Sequence, residues 1–399
     1  MTLKRLLTGL LLAALGLQFF GCASQEDLPH EPEQTATEQK ETAAPQTAAA
    51  DFALALLRAC EDGKENCVLS PFSVLTALAM AENGADGRTL RQFEEVLGMP
   101  SEGLNDYLRD CFAKGGQEIA GANSIWLRDE ADLALKEDFQ KRLRELFNAE
   151  IYTAPFDAST VEQVNGWVRE HTKERIDRIV DTLDSASTVL INALSFDARW
   201  ERPYAPNEVK DGTFTASDGT VQNVKMLCGK ESVYLDDGLA TGFVKPYEGG
   251  KYSLVALLPN EGTDLRTYLA SLTGEKLLAL LHGASEEQVA VKMPKLRTET
   301  SLQLAEVLFG MGLTDAFTEA ADFSRMSNTV QHVDEVIHKT YLSVDEEGTE
   351  AAAATAIVMT KSARPLMGKT VTLDRPYLMA IVDNETDCLL FLGAVNRIP

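Results

Sequence analysis

The chain has 399 residues, 45% of them hydrophobic and 25% charged, which is ordinary globular composition with enough apolar material for a large core. Against 37 lysines and arginines stand 61 acids, a formal net charge of −24. That balance excludes nucleic acids and other polyanions as partners, because binding them needs clustered basic side chains to neutralise phosphate.

In chain order, the first segment is "MTLKRLLTGLLLAALGLQFFGC", with Lys4 and Arg5 ahead of an apolar run and Gly21 before Cys22. This pattern predicts a signal peptide over residues 1–21, the apolar run being short for a bilayer span; a short transmembrane anchor is the competing reading. The Gly21-Cys22 ending resembles a bacterial lipobox, which implies lipidation of Cys22 and a new N-terminus there. Phe19 and Phe20 depart from the leucine and small residue of that pattern, which leaves ordinary cleavage nearby open. From Ala23 to Ala50 the chain holds six acids, one lysine and three prolines and almost nothing large and apolar. Such a segment cannot offset its ordering entropy by burial, so residues 22–50 are expected to be an acidic tether ahead of a folded domain at 51–399. Besides Cys22 there are Cys60, Cys67, Cys111, Cys228 and Cys388. Cys60 and Cys67 are close enough to pair in an exported protein, and the others read as small buried apolar residues.

"SPFSVLTALAMAENGADGRTLRQFEEVLGM" (70–99) predicts two helices broken near Gly84 and Gly87. "GANSIWLRD" predicts a strand, and "EDFQKRLRELFNAEI" a helix with Phe139, Leu143, Leu146 and Phe147 on one side. "VEQVNGWVREHTKERIDRIV" (161–180) predicts another, with Val161, Val164, Trp167 and Val168 aligned. "STVLINALSFDARW" is apolar without alternation, the mark of a strand covered on both faces. "KYSLVALLP" and "QVAVKMP" are further strands, and "YLMAIVDNETDCLLFLGAV" is a hairpin turning at Asn384-Glu385-Thr386. Helices crowd the first half and strands the second, which makes the fold α+β.

Motifs for catalysis are scarce: there is no GxSxG, HExxH, P-loop or GxGxxG. There is no CxxC pair, and the five histidines, His30, His171, His282, His332 and His338, have no metal-ligand spacing. His332 and His338 flank "VDEVI" and would share a strand face, but a buried hydrogen-bonded histidine is the simpler reading. No catalytic residue, metal or cofactor is expected, and the chain reads as no enzyme.

Five segments in order resemble the serpin family: "NCVLSPFSVLTALAMAENGADGRT" (66–89), "NALSFDARWERPY" (192–204), "MPKLRTETSLQLAEVLFGMGLTDAF" (293–317), "VIHKTYLSVDEEGTEAAAATA" (336–356) and "DRPYLMAIVDNETDCLLFLGAV" (374–395). The resemblance spans the domain from Asp51 to Pro399. It implies three β-sheets, eight to nine helices and an exposed reactive-centre loop near the C-terminus. It also implies a shutter of Ser70, Ser73, Asn192 and His338 beneath the central sheet, with Trp200 at the breach where the loop enters. His338 is then a structural hub.

The loop hinge comprises Glu346, Glu347, Gly348, Thr349, Glu350, Ala351, Ala352, Ala353 and Ala354. In extended geometry Thr349, Ala351, Ala353, Thr355 and Ile357 share one face, all uncharged, while Glu350 lies on the other. A segment built this way can become a buried strand, and Gly348 gives its start backbone freedom. Alanine is a poor strand former, which suits a segment that stays out until triggered. The local alternative, a surface helix, has the propensity but no apolar stripe to dock it.

The resemblance implies suicide inhibition. A serine protease cuts the loop, forms an acyl-enzyme and is carried off as the severed strand inserts. Counting from Glu346 places the reactive bond at Ser362–Ala363, which suits elastase-like enzymes; a register one shorter selects Lys361 and trypsin-like ones. Counting back from Arg375-Pro376-Tyr377 points nearer Pro365, and Arg364, which precedes proline, ranks last. The competing readings are a non-inhibitory serpin-fold binding protein and an inhibitor of papain-like cysteine proteases. The implied partner is the target protease in a covalent acyl complex, held by a monomeric, exported protein of bacterial type, lipid-anchored to the cell envelope or extracellular.

Overall fold

Several helix starts are set by side chains that accept the first free N–H groups. Ser70 Oγ accepts from Ser73 N–H, with Pro71 opening the helix behind it; Asp157, Asp264 and Thr273 do the same for later helices. The computed structural model describes residues 43–129, 134–183, 186–328, 332–349 and 368–399. In chain order the elements are α1 (Pro45–Cys60), β1 (Cys67–Leu69), α2 (Pro71–Glu82), α3 (Gly87–Leu97), α4 (Ser101–Lys114), β2 (Ile119–Arg128), α5 (Glu137–Phe147), β3 (Glu150–Ala154), α6 (Ala158–His171), β4 (Thr188–Phe196) and β5 (Ala198–Arg199). They continue with β6 (Val209–Thr215), β7 (Val221–Asp236), β8 (Ala240–Pro246), β9 (Tyr252–Pro259), α7 (Leu265–Ser271), α8 (Gly274–His282), β10 (Ser285–Pro294), β11 (Leu296–Gln303) and α9 (Ala305–Met311). The last strands are β12 (Glu335–Val344), β13 (Gly348–Thr349), β14 (Lys369–Thr372), β15 (Tyr377–Asp383) and β16 (Leu389–Val395).

The strands form two hydrogen-bonded sheets. One runs β3-β2-β4-β12-β13-β5, with β11 also paired to β12. The other runs β1-β16-β15-β9-β8-β7-β10-β14, with β6 also paired to β7. Two of the three expected sheets are therefore continuous, because the long strand β7 pairs with β6 and β10 as well as with β8.

β4 explains its own lack of alternation. Val189, Ile191 and Ala193 pack with Val164, Trp167 and Val168 of α6, while Leu190, Leu194 and Phe196 join the main core with α2. Covered on both faces, the strand can be apolar throughout.

Four expectations are corrected. The folded body begins at Pro45 rather than at residue 51: Ala48, Ala49 and Ala50 are buried in α1, whose first turn meets α8. The contact is so close that a Cβ on Gly274 would lie 2.4 Å from the Thr47 carbonyl, so alanines that look like tether are the residues that fit. The helix read over 161–180 spans Ala158–His171 and ends there. Cys60 and Cys67 are free thiols, and burial pushes them up to about 11 and about 12. Finally, His332 and His338 share no strand face, since His332 precedes β12 and pairs with Asp334 at 3.1 Å.

Candidate functional site

β12 climbs to Val344, the chain turns over Asp345–Glu347, and β13 starts back down antiparallel. The turn is tied by Asp345 Oδ1, which accepts from the N–H groups of Glu347 (2.8 Å) and Gly348 (3.2 Å). β13 sits between β12 and β5, with Thr349 opposite Val344 on one side and Ala198 on the other. A Cβ on Gly348 would stand 2.1 Å from the Ala198 carbonyl, so close approach of two backbones requires the glycine, not a left-handed φ. Thr349 is fully buried, and its Oγ1 shares a 2.6 Å hydrogen bond with the hydroxyl of Tyr247.

Side chains and backbone of residues 199–204 clamp the turn. Trp200 N–H donates to Glu347 O and Tyr204 N–H to Glu346 O, at 2.9 and 2.8 Å. Trp200 Nε1 donates to Asp345 O at 2.8 Å, and its ring stacks on Tyr247 with centroids 4.4 Å apart. Two ion pairs close the clamp, Arg199–Glu347 at 2.9 Å and Lys295–Glu346. Burial alone would raise the Glu346 carboxyl, but the hydrogen bond from Lys295 holds it below its usual range. Beneath, Lys245 lies 5.1 Å from the Trp200 ring and 4.4 Å from that of Tyr204, and pairs with buried Glu231 at 2.9 Å. Burial pushes Glu231 up and Lys245 down by more than their attraction restores.

Directly below β13 the sheet is closed: β4 and β12 pair in parallel from Glu335↔Val189 to Thr340↔Leu194. Asn123, Asn192 and His338 occupy one row across β2, β4 and β12. Ser70, at the start of α2, donates its N–H to His338 Nε2 at 3.0 Å, which places the imidazole proton on Nδ1. Burial pushes His338 down to about 4, so it is neutral at ordinary pH. Ser73 Oγ, Asn192 Oδ1 and His338 Nδ1 have no hydrogen-bond partner, each a buried polar group that makes this seam costlier to keep closed.

Of the residues singled out from sequence, Glu346, Glu347, Gly348, Thr349 and Trp200 meet at the turn, and Ser70, Ser73, Asn192 and His338 meet beneath the seam. Glu350, Ala351, Ala352, Ala353, Ala354, Lys361, Ser362, Ala363 and Cys22 lie outside the described residues. Tyr247, Arg199, Lys295 and Asn123 escaped sequence reading because no motif marks them. Lys245 did leave a signal: a lone lysine in the apolar strand "ATGFVKP" implies a buried partner.

The profile of the Serpin (serine protease inhibitor) family matches residues 47–398. An uncharacterised serpin-like protein of Thermococcus kodakarensis is 32% identical over 358 residues, covering 86% of this chain and 83% of that protein. Iris of Ixodes ricinus is 32% identical over 85% of this chain and 94% of its own length. Among solved structures, the thermophilic serpin Tengpin in its native state superposes with a TM-score of 0.84 and 39% identity, covering 88% of this chain and 94% of that one. The latent state of the same protein gives 0.76 at 35% identity, over 89% and 98%.

Proposed function

This chain belongs to the serpin family, and from that premise we propose that it is a suicide-substrate inhibitor of serine proteases rather than a catalyst. The observation that carries the reading is the seated hinge above a closed seam: Gly348 and Thr349 already pair on both sides, aimed at the parallel junction of β4 and β12. A strand continuing β13 downward would run antiparallel to both neighbours. It would replace one parallel seam with two antiparallel ones, and antiparallel pairing is the more stable per residue. Main-chain hydrogen bonds gained on both edges supply the driving force, and an intact loop withholds it. Strand addition of this kind in serpins is a known use of sheet edges.

On this proposal the loop is cut at Ser362–Ala363 by an elastase-like protease, or after Lys361 by a trypsin-like one. The acyl-enzyme is then stranded before water can release it. The Tengpin native state, at the higher TM-score, supports assigning this chain to the arrangement that precedes insertion. We further propose that residues 1–21 are a signal peptide and that the mature protein is a monomer held at the cell envelope through lipidated Cys22.

The test is incubation of the domain from Pro45 with elastase, with trypsin and with papain, followed by denaturing electrophoresis. A covalent band at the summed mass, with Ser362 or Lys361 at the junction by mass spectrometry, is the expected result. Loop cleavage without any such band selects the non-inhibitory reading, and a band formed only with papain selects the cysteine-protease one.

A further inference from the structure

Two thiols meet where α4 lies against the β15–β16 hairpin. Cys111 is in the last turn of α4, and Cys388 follows the hairpin turn, directly before β16; they are 6% and 2% exposed. The Cys388 thiol is within hydrogen-bonding range of the Cys111 thiol and of the Tyr107 hydroxyl, which stands one turn earlier on the same face of α4. The remaining cysteines of the folded body are placed differently. Cys67 senses Cys60 only as a charge, and Cys228 donates its thiol to the Met226 carbonyl at 3.7 Å.

The two thiols differ in what they can do. Burial pushes the Cys388 thiol well up, and the neighbouring Cys111 adds to the effect, so Cys388 keeps its proton. Cys111 borders an open cleft beside Phe112 and Gly115, its route to small solutes. A reachable thiol backed by a buried one is the arrangement in which the first starts an exchange and the second resolves it.

We propose that Cys111 and Cys388 are an oxidisable pair, closed by a small-molecule disulfide such as oxidised glutathione, and that the bond staples α4 to the C-terminal hairpin. Cys111 loses its proton, and its thiolate attacks one sulfur of the oxidant and releases a first thiolate. Cys388 then gives up its proton, attacks the Cys111 sulfur and expels a second. The chain loses two electrons and two protons, and the oxidant becomes two thiols. Because Cys388 holds its proton tightly, closure is the slow step and quickens as pH rises. The staple falls on a helix whose start at Pro100 has no side-chain cap, and it joins residues far apart in sequence, which restricts the unfolded chain most. It needs neither a protease nor a cut loop, so its test is independent of the inhibitory reading.

The experiment is incubation of the intact chain with oxidised glutathione at mildly alkaline pH, quenching with N-ethylmaleimide, and digestion without reduction. A peptide linking Cys111 to Cys388 is expected by mass spectrometry, lost on treatment with dithiothreitol and missing from Cys388→Ala. The melting temperature of the oxidised parent should rise by about 5 °C and return on reduction, with no rise in Cys388→Ala. The proposal is overturned if the linked peptide joins Cys60 to Cys67 while Cys111 is alkylated, if glutathione stays on Cys111 without closure, or if the linked chain melts no higher. Should Cys388→Ala not fold, the linked peptide and the reversible rise in the parent decide alone.

Discussion

Replacing Thr349 with arginine would put a guanidinium where a fully buried hydroxyl now meets Tyr247. Burying that charge unpaired costs several kcal/mol, enough to keep the hinge out of the sheet. Thr349→Arg is therefore expected to be cut by elastase or trypsin yet form no SDS-stable complex; a complex at parental yield would refute strand insertion. Two buried titratable groups give opposite pH signatures. His338 has its folded value lowered from 6.5 to about 4 by burial, so its contribution is present above 6.5 and is lost as pH falls through about 4, by about 3 kcal/mol. Glu82, whose two oxygens have no partners, is pushed up to about 8 by burial and then by Glu94. Its contribution is complete below about 4.5 and lost as pH rises through about 8, a cost near 3 kcal/mol at pH 7. Denaturant unfolding should show Glu82→Gln gaining on the parent from pH 4.5 to 8, and His338→Gln losing less than the parent from pH 6.5 to 4. The buried face of Thr349 was readable from strand alternation, but its hydroxyl partner was not, since Tyr247 lies far away in sequence.

Strand by strand, the proposed insertion would open the seam between β4 and β12, which lies below the clamped turn. Cutting the loop should raise the melting temperature by at least about 10 °C if new antiparallel pairs form on both sides. Calorimetry of cut and uncut protein checks this, and an unchanged midpoint would argue against a strained starting state. Under the clamp, Lys245→Met strands Glu231 without its cation and should destabilise by about 3 kcal/mol. Adding Glu231→Leu should restore most of that loss in urea unfolding, because an apolar pair avoids the desolvation of both ions. Elements differed in how clearly the chain announced them. β4 and the β15–β16 hairpin are buried throughout and showed it as long apolar runs. α4 has no side-chain cap at Pro100 to mark its start, and it went unread. β7 changes partners along its length, so neither face keeps a steady alternation. β5 and β13 are two residues each, and only the folded turn makes them strands.

For the molecule as a whole, the serpin family was legible because five segments keep recognisable wording, while the folded boundary at Pro45 was hidden by an alanine-rich first turn. Among the described residues no helix is long and apolar enough to cross a membrane. Cys22→Ala should move the protein from the pelleted to the supernatant fraction on cell fractionation, and persistence in the pellet would count against the anchor. β15 and β16 join the edge strand β1 to β9 and the rest of the larger sheet, yet they follow all other strands in chain order. A nascent polypeptide emerges from its first residue onward, so through most of its biosynthesis β1 and β9 lack the two strands that join them. The larger sheet can be completed only in one late step, once that hairpin has been made. A newly made molecule therefore waits on its own last residues before β1 is joined to β9, and helper factors that shield that final hairpin would govern how much folded protein a cell obtains.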